Sequence, residues 1–341
     1  MIPRRLTALL AVAVLLGAAA PARAQSLSDA FRKAAPSVVV VRAKGRDVGA
    51  SGVTRFSETG SGVLISADGK VMTAAHVVDA MDEITVEVIG GERVSAKVVA
   101  SETAADLSLL QLERVPVRMQ PGTMGNSDTV RVGDQVMVIG APYGLAYSMS
   151  AGWISARWPP NTVYKTMPLA EFFQTTATIN TGNSGGPMFD MAAQVIGIVS
   201  HNISKSGGSE GLGFVVTINT AKKLLLEKRS LWSGIDGIML TGDLAAIFNV
   251  PQPAGFLVKT VAKASPAWDM GLLGGDKIAT IAGQQIAVGG DIILTVDGIG
   301  AESGDSVEKI RERLASKPSG YSFVTRVLRA GRVVELTGKT Q

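Results

Sequence analysis

Short apolar runs separated by turn signals fill most of the sequence after residue 60. Examples rich in aliphatic and β-branched residues are Leu107 to Leu112, Gln135 to Ile139 and Val195 to Val199. Long amphipathic helices are few. Many short strands joined by tight turns are typical of an antiparallel barrel or sandwich. We therefore predict a mainly β fold.

The region around these runs contains further predicted elements. A short polar helix is predicted over Leu27 to Ala34, and the β-branched run from Ser37 to Arg42 predicts a strand. Hairpins are predicted over 62–74 and 84–99, each with a glycine-containing turn. Lys44 to Gly60 is rich in glycine and charge, and we predict a mobile loop there.

The first 24 residues have the pattern of a secretion signal. Arg4 and Arg5 precede the apolar run Leu9 to Leu16, and Ala22-Arg23-Ala24 supplies a small-x-small cleavage site. Without the three arginines of this segment, 30 basic residues face 29 acidic ones. The signal pattern predicts an exported protein. Because nucleic-acid binding needs clustered positive charge, we also predict that the protein does not bind nucleic acid.

Cysteine is absent and histidine is scarce. The 341 residues contain no Cys and only two His, His76 and His201. This composition excludes disulfides, cysteine nucleophiles and thiolate metal sites, and it disfavours a histidine-rich zinc site. We predict no metal and no cofactor.

A boundary between two domains is predicted near residue 230. The apolar pattern of Ala221 to Lys228 predicts a helix, which a polar segment closes. The chain after it has its own strands, predicted at Gly255 to Val261, Lys277 to Ile281 and Ile292 to Val296. A further helix is predicted to begin at a capping box formed by Asp305 and Glu308.

The heptad Thr181-Gly182-Asn183-Ser184-Gly185-Gly186-Pro187 is the best candidate for chemistry. Glycines on both sides allow a tight turn that exposes the hydroxyl of Ser184. They also allow successive N–H groups to point at an oxygen that gains charge during acyl transfer. Taken alone, the heptad also fits an ordinary glycine-rich surface turn.

A serine nucleophile needs a base and a group that orients the base. His76 lies among small residues directly after a predicted strand, and Asp106 directly precedes the apolar run from Leu107. The order His76, Asp106, Ser184 is that of the chymotrypsin class. We predict these three residues as base, orienting acid and nucleophile.

An alternative assignment uses residues that follow the serine. Gly182 to Gly186 also fits the G-x-S-x-G nucleophile elbow, for which Asp190 and His201 are available as acid and base. That fold needs crossover helices between strands, and the interval from Ser184 to His201 is too short to hold them. We therefore favour the first assignment.

The combination of motifs resembles the HtrA (Deg) serine proteases over nearly all of the chain after the signal. The matching segments are Gly60-Ser61-Gly62-Val63-Leu64-Ile65-Ser66, Thr73 to Val78, Asp106 to Leu110, Arg131-Val132-Gly133-Asp134, Thr181 to Pro187 and Gly211-Leu212-Gly213-Phe214. The resemblance implies a chymotrypsin-like double β-barrel over residues 25–229, followed by a PDZ domain over 235–341. It also implies a homotrimer, or a multiple of one, in the bacterial periplasm.

The resemblance assigns further roles near the nucleophile. The N–H groups of Gly182 and Ser184 would form the oxyanion hole. Asn183 stands where digestive relatives have an aspartate that pairs with a freed N-terminus, so we expect activation through loop movement rather than propeptide cleavage.

Substrate-binding residues are also implied. Thr178 would form the floor of the primary pocket, where a neutral residue favours small or medium apolar side chains. Ser200 would help to hold the carboxylate of Asp106. His201 and its neighbour Asn202 would line the groove where an extended substrate adds as a strand, although His201 also fits a simple surface histidine.

The PDZ resemblance includes one departure. The loop that would bind a peptide carboxylate reads Ile235-Asp236-Gly237-Ile238. Asp236 would repel a terminal carboxylate unless it points away, so this domain either binds PDZ-binding peptides or mainly regulates and assembles.

The sequence predicts an exported, ATP-independent serine endopeptidase. The resemblance implies that its substrates are unfolded or misfolded polypeptides, which would be cleaved through an acyl-enzyme. A peptide-binding chaperone or scaffold with a latent or silent barrel is the alternative.

Overall fold

The computed structural model describes residues 26–229 and 231–340. The predicted signal sequence lies outside the described residues. Helix α1 is found at Leu27–Ala34, as predicted, with the hydroxyl of Ser26 accepting from the N–H of Asp29 at its start. Within the described ranges, none of the helices has the length and apolar character needed to cross a bilayer.

Six antiparallel strands close into the first barrel, in the order β1-β2-β3-β6-β5-β4. The strands are β1 (Val38–Gly49), β2 (Gly52–Leu64), β3 (Lys70–Thr73), β4 (Met81–Glu87), β5 (Arg93–Glu102) and β6 (Leu107–Leu112). The one-turn helix α2 (Ala75–Val78) follows β3. Buried aliphatic side chains fill this barrel, among them Val39, Val71, Val86 and Leu110.

The predicted mobile loop over Lys44 to Gly60 is wrong. These residues belong to the long hairpin of β1 and β2, which stay paired from Val38–Val63 to Gly49–Gly52. The charges that suggested a loop form cross-strand contacts: the Lys44 ammonium lies 3.1 Å from Glu83 on β4. Charged residues therefore lie in strands here because partner strands neutralise them.

The second barrel contains strands β8 to β13, with the short strand β7 (Thr123–Met124) added parallel to β12. The strands are β8 (Gln135–Gly140), β9 (Ser148–Trp158), β10 (Phe172–Thr175), β11 (Pro187–Phe189), β12 (Gln194–Asn202) and β13 (Gly213–Thr217). Pairing of β11 with both β8 and β12 closes the barrel. The predicted mainly β fold with two chymotrypsin-like barrels is confirmed.

Residues 231–340 form a C-terminal unit with its own core. One sheet has the order β14-β15-β18-β20-β21, with β19 on β18, and a second sheet pairs β16 with β17. The strands are β14 (Ile235–Thr241), β15 (Ala254–Val261), β16 (Lys277–Ile281), β17 (Gln284–Val288), β18 (Ile292–Val296), β19 (Ile299–Gly300), β20 (Ser322–Arg329) and β21 (Arg332–Lys339). The helices of the remaining chain are α3 (Ile218–Lys222), α4 (Gly242–Ile247), α5 (Pro266–Asp269) and α6 (Gly304–Ala315).

Two details of the predicted helices are corrected. The helix expected from Ala221 begins earlier, at Ile218, and continues as a π-helical turn over Lys223–Glu227. The cap of α6 is not Asp305 with Glu308: Ser303 and Ser306 form the reciprocal box two residues earlier. The hydroxyl of each serine accepts from the backbone N–H of the other, as in a capping box.

The C-terminal unit contacts the first barrel through polar and apolar side chains. Arg46 of β1 donates to the carbonyl of Val261 (3.0 Å) and pairs with Asp82. The indole of Trp232 packs into the core of the first barrel and donates to the carbonyl of Asp79 (2.8 Å). The chain thus returns from the second barrel to the first before it enters the C-terminal unit.

The C-terminal unit contains an ion pair with a buried carboxylate, from which a stability prediction follows. Asp291 is 1% exposed and accepts two hydrogen bonds of 2.7 Å from Arg329. Removing one partner of a buried pair leaves an uncompensated charge, so Arg329→Met should lower the free energy of unfolding by about 3–5 kcal/mol. The measurement is urea denaturation. Arg326→Met, which removes an exposed 3.8 Å pair with Glu335, is the control and should cost about 1 kcal/mol or less; equal costs for the two variants would contradict the prediction.

Candidate active site

His76 and Asp106 are brought together at the edge of the first barrel. His76 lies in α2, and Asp106 follows a 3₁₀ turn over Thr103–Ala105 with a left-handed backbone (φ 54°). The Nδ1 atom of His76 lies 2.9 Å and 3.0 Å from the two carboxylate oxygens of Asp106. The backbone N–H of His76 donates to the same carboxylate (3.1 Å). Asp106 therefore fixes both the ring and the main chain of the histidine.

The second barrel supplies another donor to this carboxylate. The hydroxyl of Ser200 donates to Oδ2 of Asp106. A change of register in β12 between Val199 and His201 lets Ser200 leave the regular ladder. The predicted place of Ser200 beside Asp106 is thus what the structure has.

The electrostatics of the pair follow from these contacts. Burial favours a protonated Asp106, but the hydrogen bond and charge of His76, together with the Ser200 hydroxyl, lower the pKa of its carboxyl below 3.8. For His76, burial alone would lower the pKa, because it disfavours the charged ring. The contact with Asp106 outweighs burial and raises the pKa of His76 above 6.5. Asp106 stays ionised near neutral pH, and His76 is poised to take up a proton.

Ser184 lies on a glycine turn from the second barrel. Gly182 has φ +100°, and a Cβ atom there would lie 2.2 Å from the carbonyl oxygen of Ala141, so only glycine fits. The hydroxyl of Ser184 donates to the carbonyl of Ser200 (3.2 Å). In this structure the serine therefore points to β12 and not to the ring of His76.

Two N–H groups of this turn remain open. The N–H groups of Asn183, Gly185 and Gly186 donate to carbonyls within the protein. Within the part of the chain that the structure describes, the N–H groups of Gly182 and Ser184 have no such acceptor. A pair of unused N–H groups beside a serine hydroxyl can stabilise an oxyanion.

Asn183 is buried and holds the turn from inside. Its side-chain oxygen accepts from the N–H of Asn180 (3.0 Å), and its own N–H donates to the carbonyl of Asn180 (2.9 Å). The neutral side-chain amide accepts from Asn180 without placing a charge in the interior, which would need a partner.

Ser61 is a site residue that the sequence reasoning missed. Its hydroxyl donates to the carbonyl of Gly182 (2.7 Å) and accepts from the N–H of Ala141 (2.9 Å), and its N–H donates to the carbonyl of Ser184 (2.8 Å). Ser61 thus joins the first barrel to both ends of the nucleophile turn. The signal was its place between Gly60 and Gly62: a Cβ at Gly60 would lie 2.9 Å from the Ser184 carbonyl oxygen.

A cavity of about 360 Å³ lies beside His76. Its lining residues are Ala75, His76, Asp79, Thr103, Asp106, Thr166, Met167 and His201. Burial raises the pKa of Asp79 to about 6, although Ser101 donates to its carboxylate (3.2 Å). Within residues 26–229 and 231–340, no cluster of three or more His, Asp or Glu side chains is arranged to hold a metal ion.

The other predicted substrate-binding residues occupy separate places. The side chain of Thr178 is exposed and its carbonyl accepts from Ser150 (2.8 Å). Asn202 is half-buried at the end of β12 and donates to the carbonyl of Gly208 (3.2 Å). The His201 ring is not a simple surface group: it stacks on Phe214 with an interplanar angle of 11°.

The predicted peptide loop of the C-terminal unit is a strand. Ile235, Asp236, Gly237 and Ile238 form the start of β14, which pairs with β15. Asp236 is exposed and its carboxylate lies 3.8 Å from the ammonium of Lys259. Between this strand and α6 lies an apolar cavity of about 330 Å³, whose lining includes Ile235, Phe256, Val307, Ile310 and Leu314.

Comparisons with known proteins agree with this geometry. A family described as trypsin-like peptidase domain matches residues 60–198. The solved structure titled "HtrA-type protease AlgW with tripeptide" is 31% identical with a TM-score of 0.52, covering 92% of this chain and 96% of that one. Another, titled "HtrA-type protease AlgW with decapeptide", is 29% identical with a TM-score of 0.53. It covers 92% of this chain and 98% of that chain.

The chain belongs to the HtrA family of serine proteases. A probable periplasmic serine endoprotease DegP-like from Pseudomonas savastanoi pv. phaseolicola is 35% identical over 278 residues, which are 78% of this chain and 57% of the relative. A probable periplasmic serine protease do/HhoA-like from Haemophilus influenzae is 36% identical over 294 residues, which are 84% of this chain and 59% of the relative. The chain thus spans somewhat more than half the length of these curated HtrA-type relatives.

The two histidines of this HtrA-family chain should titrate far apart. Burial lowers the pKa of His201 to about 4, whereas that of His76 is raised above 6.5. In NMR titrations of the ring Cε1–H signals, Asp106→Asn should lower the pKa of His76 because the opposing charge is lost. Asp128→Asn, which removes a carboxylate paired with Arg157, is the control and should leave it unchanged; an unshifted His76 in Asp106→Asn would contradict the assignment.

Proposed function

We propose that the chain is a serine endopeptidase in which Ser184 is the nucleophile, His76 the general base and Asp106 the group that orients the base. The N–H groups of Gly182 and Ser184 form the oxyanion hole. The observation that carries this proposal is the carboxylate of Asp106, which holds Nδ1 of His76 at 2.9 Å beside a serine turn with two unused N–H groups. With Nδ1 held by Asp106, Nε2 is left to accept the serine proton.

The reaction begins when the hydroxyl of Ser184 leaves the carbonyl of Ser200 and turns to His76. Its oxygen attacks the scissile carbonyl while the proton passes to Nε2 of the ring. The oxyanion of the tetrahedral intermediate accepts from Gly182 and Ser184. His76 then gives the proton to the leaving amine, and water releases the acyl group by the same steps.

The substrates proposed are unfolded or misfolded polypeptides, cleaved without ATP. Relatives of this chain are named periplasmic serine proteases. The chain is proposed to act in the periplasm, as a homotrimer or a multiple of one. Thr178 and Asn202 are proposed to contact substrate, with Thr178 at the primary pocket, whereas the enclosed ring of His201 lies behind the site.

Residues 235–341, which make up most of the C-terminal unit, are proposed to form a PDZ domain that binds peptides. The apolar cavity between β14 and α6 supports this role, because an extended peptide can add to a strand and bury a side chain against the helix. Asp236 lies 3.8 Å from Lys259, which also pairs with Asp47 at 2.9 Å, so its exposed carboxylate points toward this pair.

A latent scaffold is the second candidate function. The observation in its favour is the hydroxyl of Ser184, which donates to Ser200 rather than to His76. In that case the chain captures peptides and the barrel cleaves only after its loops move.

Proteolysis is tested with the mature chain and unfolded casein. Wild type should cleave casein and Ser184→Ala should not, because the nucleophile is removed. Cleavage should fall as pH drops through the raised pKa of His76, above 6.5, since a base must be neutral to accept the proton. Equal cleavage by the two proteins would refute the nucleophile, and no cleavage by either across temperatures and peptide activators would favour the scaffold.

The identity of the base is tested with a serine-directed phosphonate. His76→Ala should abolish labelling of Ser184, whereas His201→Ala should still reach full labelling, if more slowly. The reverse result would revive the elbow assignment with Asp190 and His201.

Peptide binding is tested by fluorescence anisotropy with a labelled peptide that ends in apolar residues. Val307→Glu should abolish binding, because it places a charge in the apolar cavity. Lys309→Glu, on the exposed face of α6, is the control. Asp236→Asn should change the binding free energy by about 1 kcal/mol or less; unchanged affinity in Val307→Glu would exclude the cavity as the peptide site.

A further inference from the structure

His201 is held in an aromatic cluster directly behind the catalytic carboxylate. Its ring stacks on Phe214 at 5.4 Å between centroids and meets the edge of Tyr164 at 4.1 Å and of Phe172 at 5.7 Å. The Nδ1 atom, in contrast, lies 2.9 Å from the hydroxyl oxygen of Ser200. The cluster therefore fixes one ring nitrogen against a side chain that touches Asp106.

The direction of this hydrogen bond follows from the number of protons. The hydroxyl of Ser200 has a single proton, and that proton is donated to the ionised carboxylate of Asp106. The oxygen of Ser200 can then only accept from His201. Nδ1 of His201 must carry a hydrogen, whichever charge state the ring has.

The surroundings of the other ring nitrogen favour a neutral ring. Nε2 of His201 is buried and has no hydrogen-bond partner among the described residues. A protonated ring would place an N–H donor in this apolar position, and burial accordingly lowers the pKa of His201 to about 4. The neutral Nδ1–H tautomer satisfies Ser200 and leaves only a lone pair unpaired.

We propose that His201 is a positioning residue that donates from Nδ1 to Ser200 and so holds the Ser200 hydroxyl on Asp106, which in turn orients His76. This proposal rests on the proposed proteolytic function. The relay runs from the aromatic cluster through Ser200 to the acid and the base. Ser200 also accepts the hydroxyl of Ser184 at its carbonyl, so a misplaced Ser200 disturbs both sides of the site.

The donor is needed because the hydroxyl of Ser200 can rotate. Ser200 is 1% exposed, so no bulk water competes for its lone pairs. When Nδ1–H of His201 donates to the oxygen of Ser200, the hydroxyl proton of Ser200 has to point at the carboxylate of Asp106 for all three groups to be hydrogen-bonded. Without it, the oxygen of Ser200 loses its donor and the hydroxyl is free to leave the carboxylate.

A pair of variants separates the donor from the ring. His201→Phe keeps an aromatic ring in the cluster and removes the donor, whereas His201→Asn keeps an N–H donor at the δ position and removes the ring. With a fluorogenic peptide, His201→Phe should lose about tenfold in kcat with little change in KM, as expected for weakening one hydrogen bond to a charged group. His201→Asn should recover most of kcat even though its thermal unfolding temperature falls. Full kcat in His201→Phe, or loss in His201→Asn alone, would overturn the proposal.

A double-mutant cycle tests whether the effect passes through Ser200. In the Ser200→Ala background the relay is already broken, so adding His201→Phe should cause no further loss of kcat. A purely structural role of the ring would give the same fractional loss in both backgrounds. Equal losses would therefore reject the relay, whatever the stability of each variant.

The tautomer gives a readout that does not depend on activity. Long-range ¹H–¹⁵N spectra should show His201 as the neutral Nδ1–H form down to about pH 5. An Nε2–H tautomer would overturn the proposal even in an active enzyme. If wild type cleaves nothing, the proposed function fails, and the spectrum still decides whether His201 is the donor to Ser200.

Discussion

The carboxylate of Asp106 is the group on which the geometry of the site depends. A buried carboxylate needs hydrogen-bond donors from the protein, because it has lost its hydrogen bonds to water and each missing donor destabilises the charged form. Asp106 takes two donors from His76 in the first barrel and one from Ser200 in the second. The two barrels are therefore held in one relative position by the charge that also orients the base. The side chain of Asp106 therefore contributes both to the packing of the two barrels and to the orientation of the base.

The nucleophile turn is fixed in a similar way from the opposite side. Ser61 extends from the end of β2 and bonds to the backbone at Gly182 and Ser184. Thr73, at the end of β3, donates to the carbonyl of Ser61 (2.7 Å) and supports it. The first barrel thus supplies the base and also shapes the loop that presents the nucleophile. The hydroxyl of Ser184 remains the one part of the site with a choice of acceptor, between Ser200 and His76.

Much of this arrangement could be predicted from the sequence. The strands at Leu107–Leu112, Lys277–Ile281 and Ile292–Val296 lie where apolar runs predicted them, because burial and β-branching act locally. The hairpin through Lys44 was missed because its stability comes from partner strands that the local pattern does not reveal. The direction of the Ser184 hydroxyl could not be predicted either, because its acceptor, the carbonyl of Ser200, lies at a change of register in β12.

The surroundings of His201 show the same limit. Phe172 lies on β10 and Phe214 on β13, and the pairing of β13 with both β10 and β12 brings these two rings to His201. Because the sequence contains only two histidines, His201 could be identified as one of two possible bases. The sequence could not show that the ring is enclosed, or which nitrogen faces Ser200.

The position of Trp232 means that the boundary between domains along the chain differs from the boundary in space. Its indole completes the core of the first barrel, although 120 residues separate it from the last strand of that barrel. A fragment that ends at residue 229 would leave an open apolar surface next to α2, the helix that carries the base. The C-terminal unit is thus fastened to the barrel that carries His76, so a displacement of this unit is transmitted to the barrel that supplies the base.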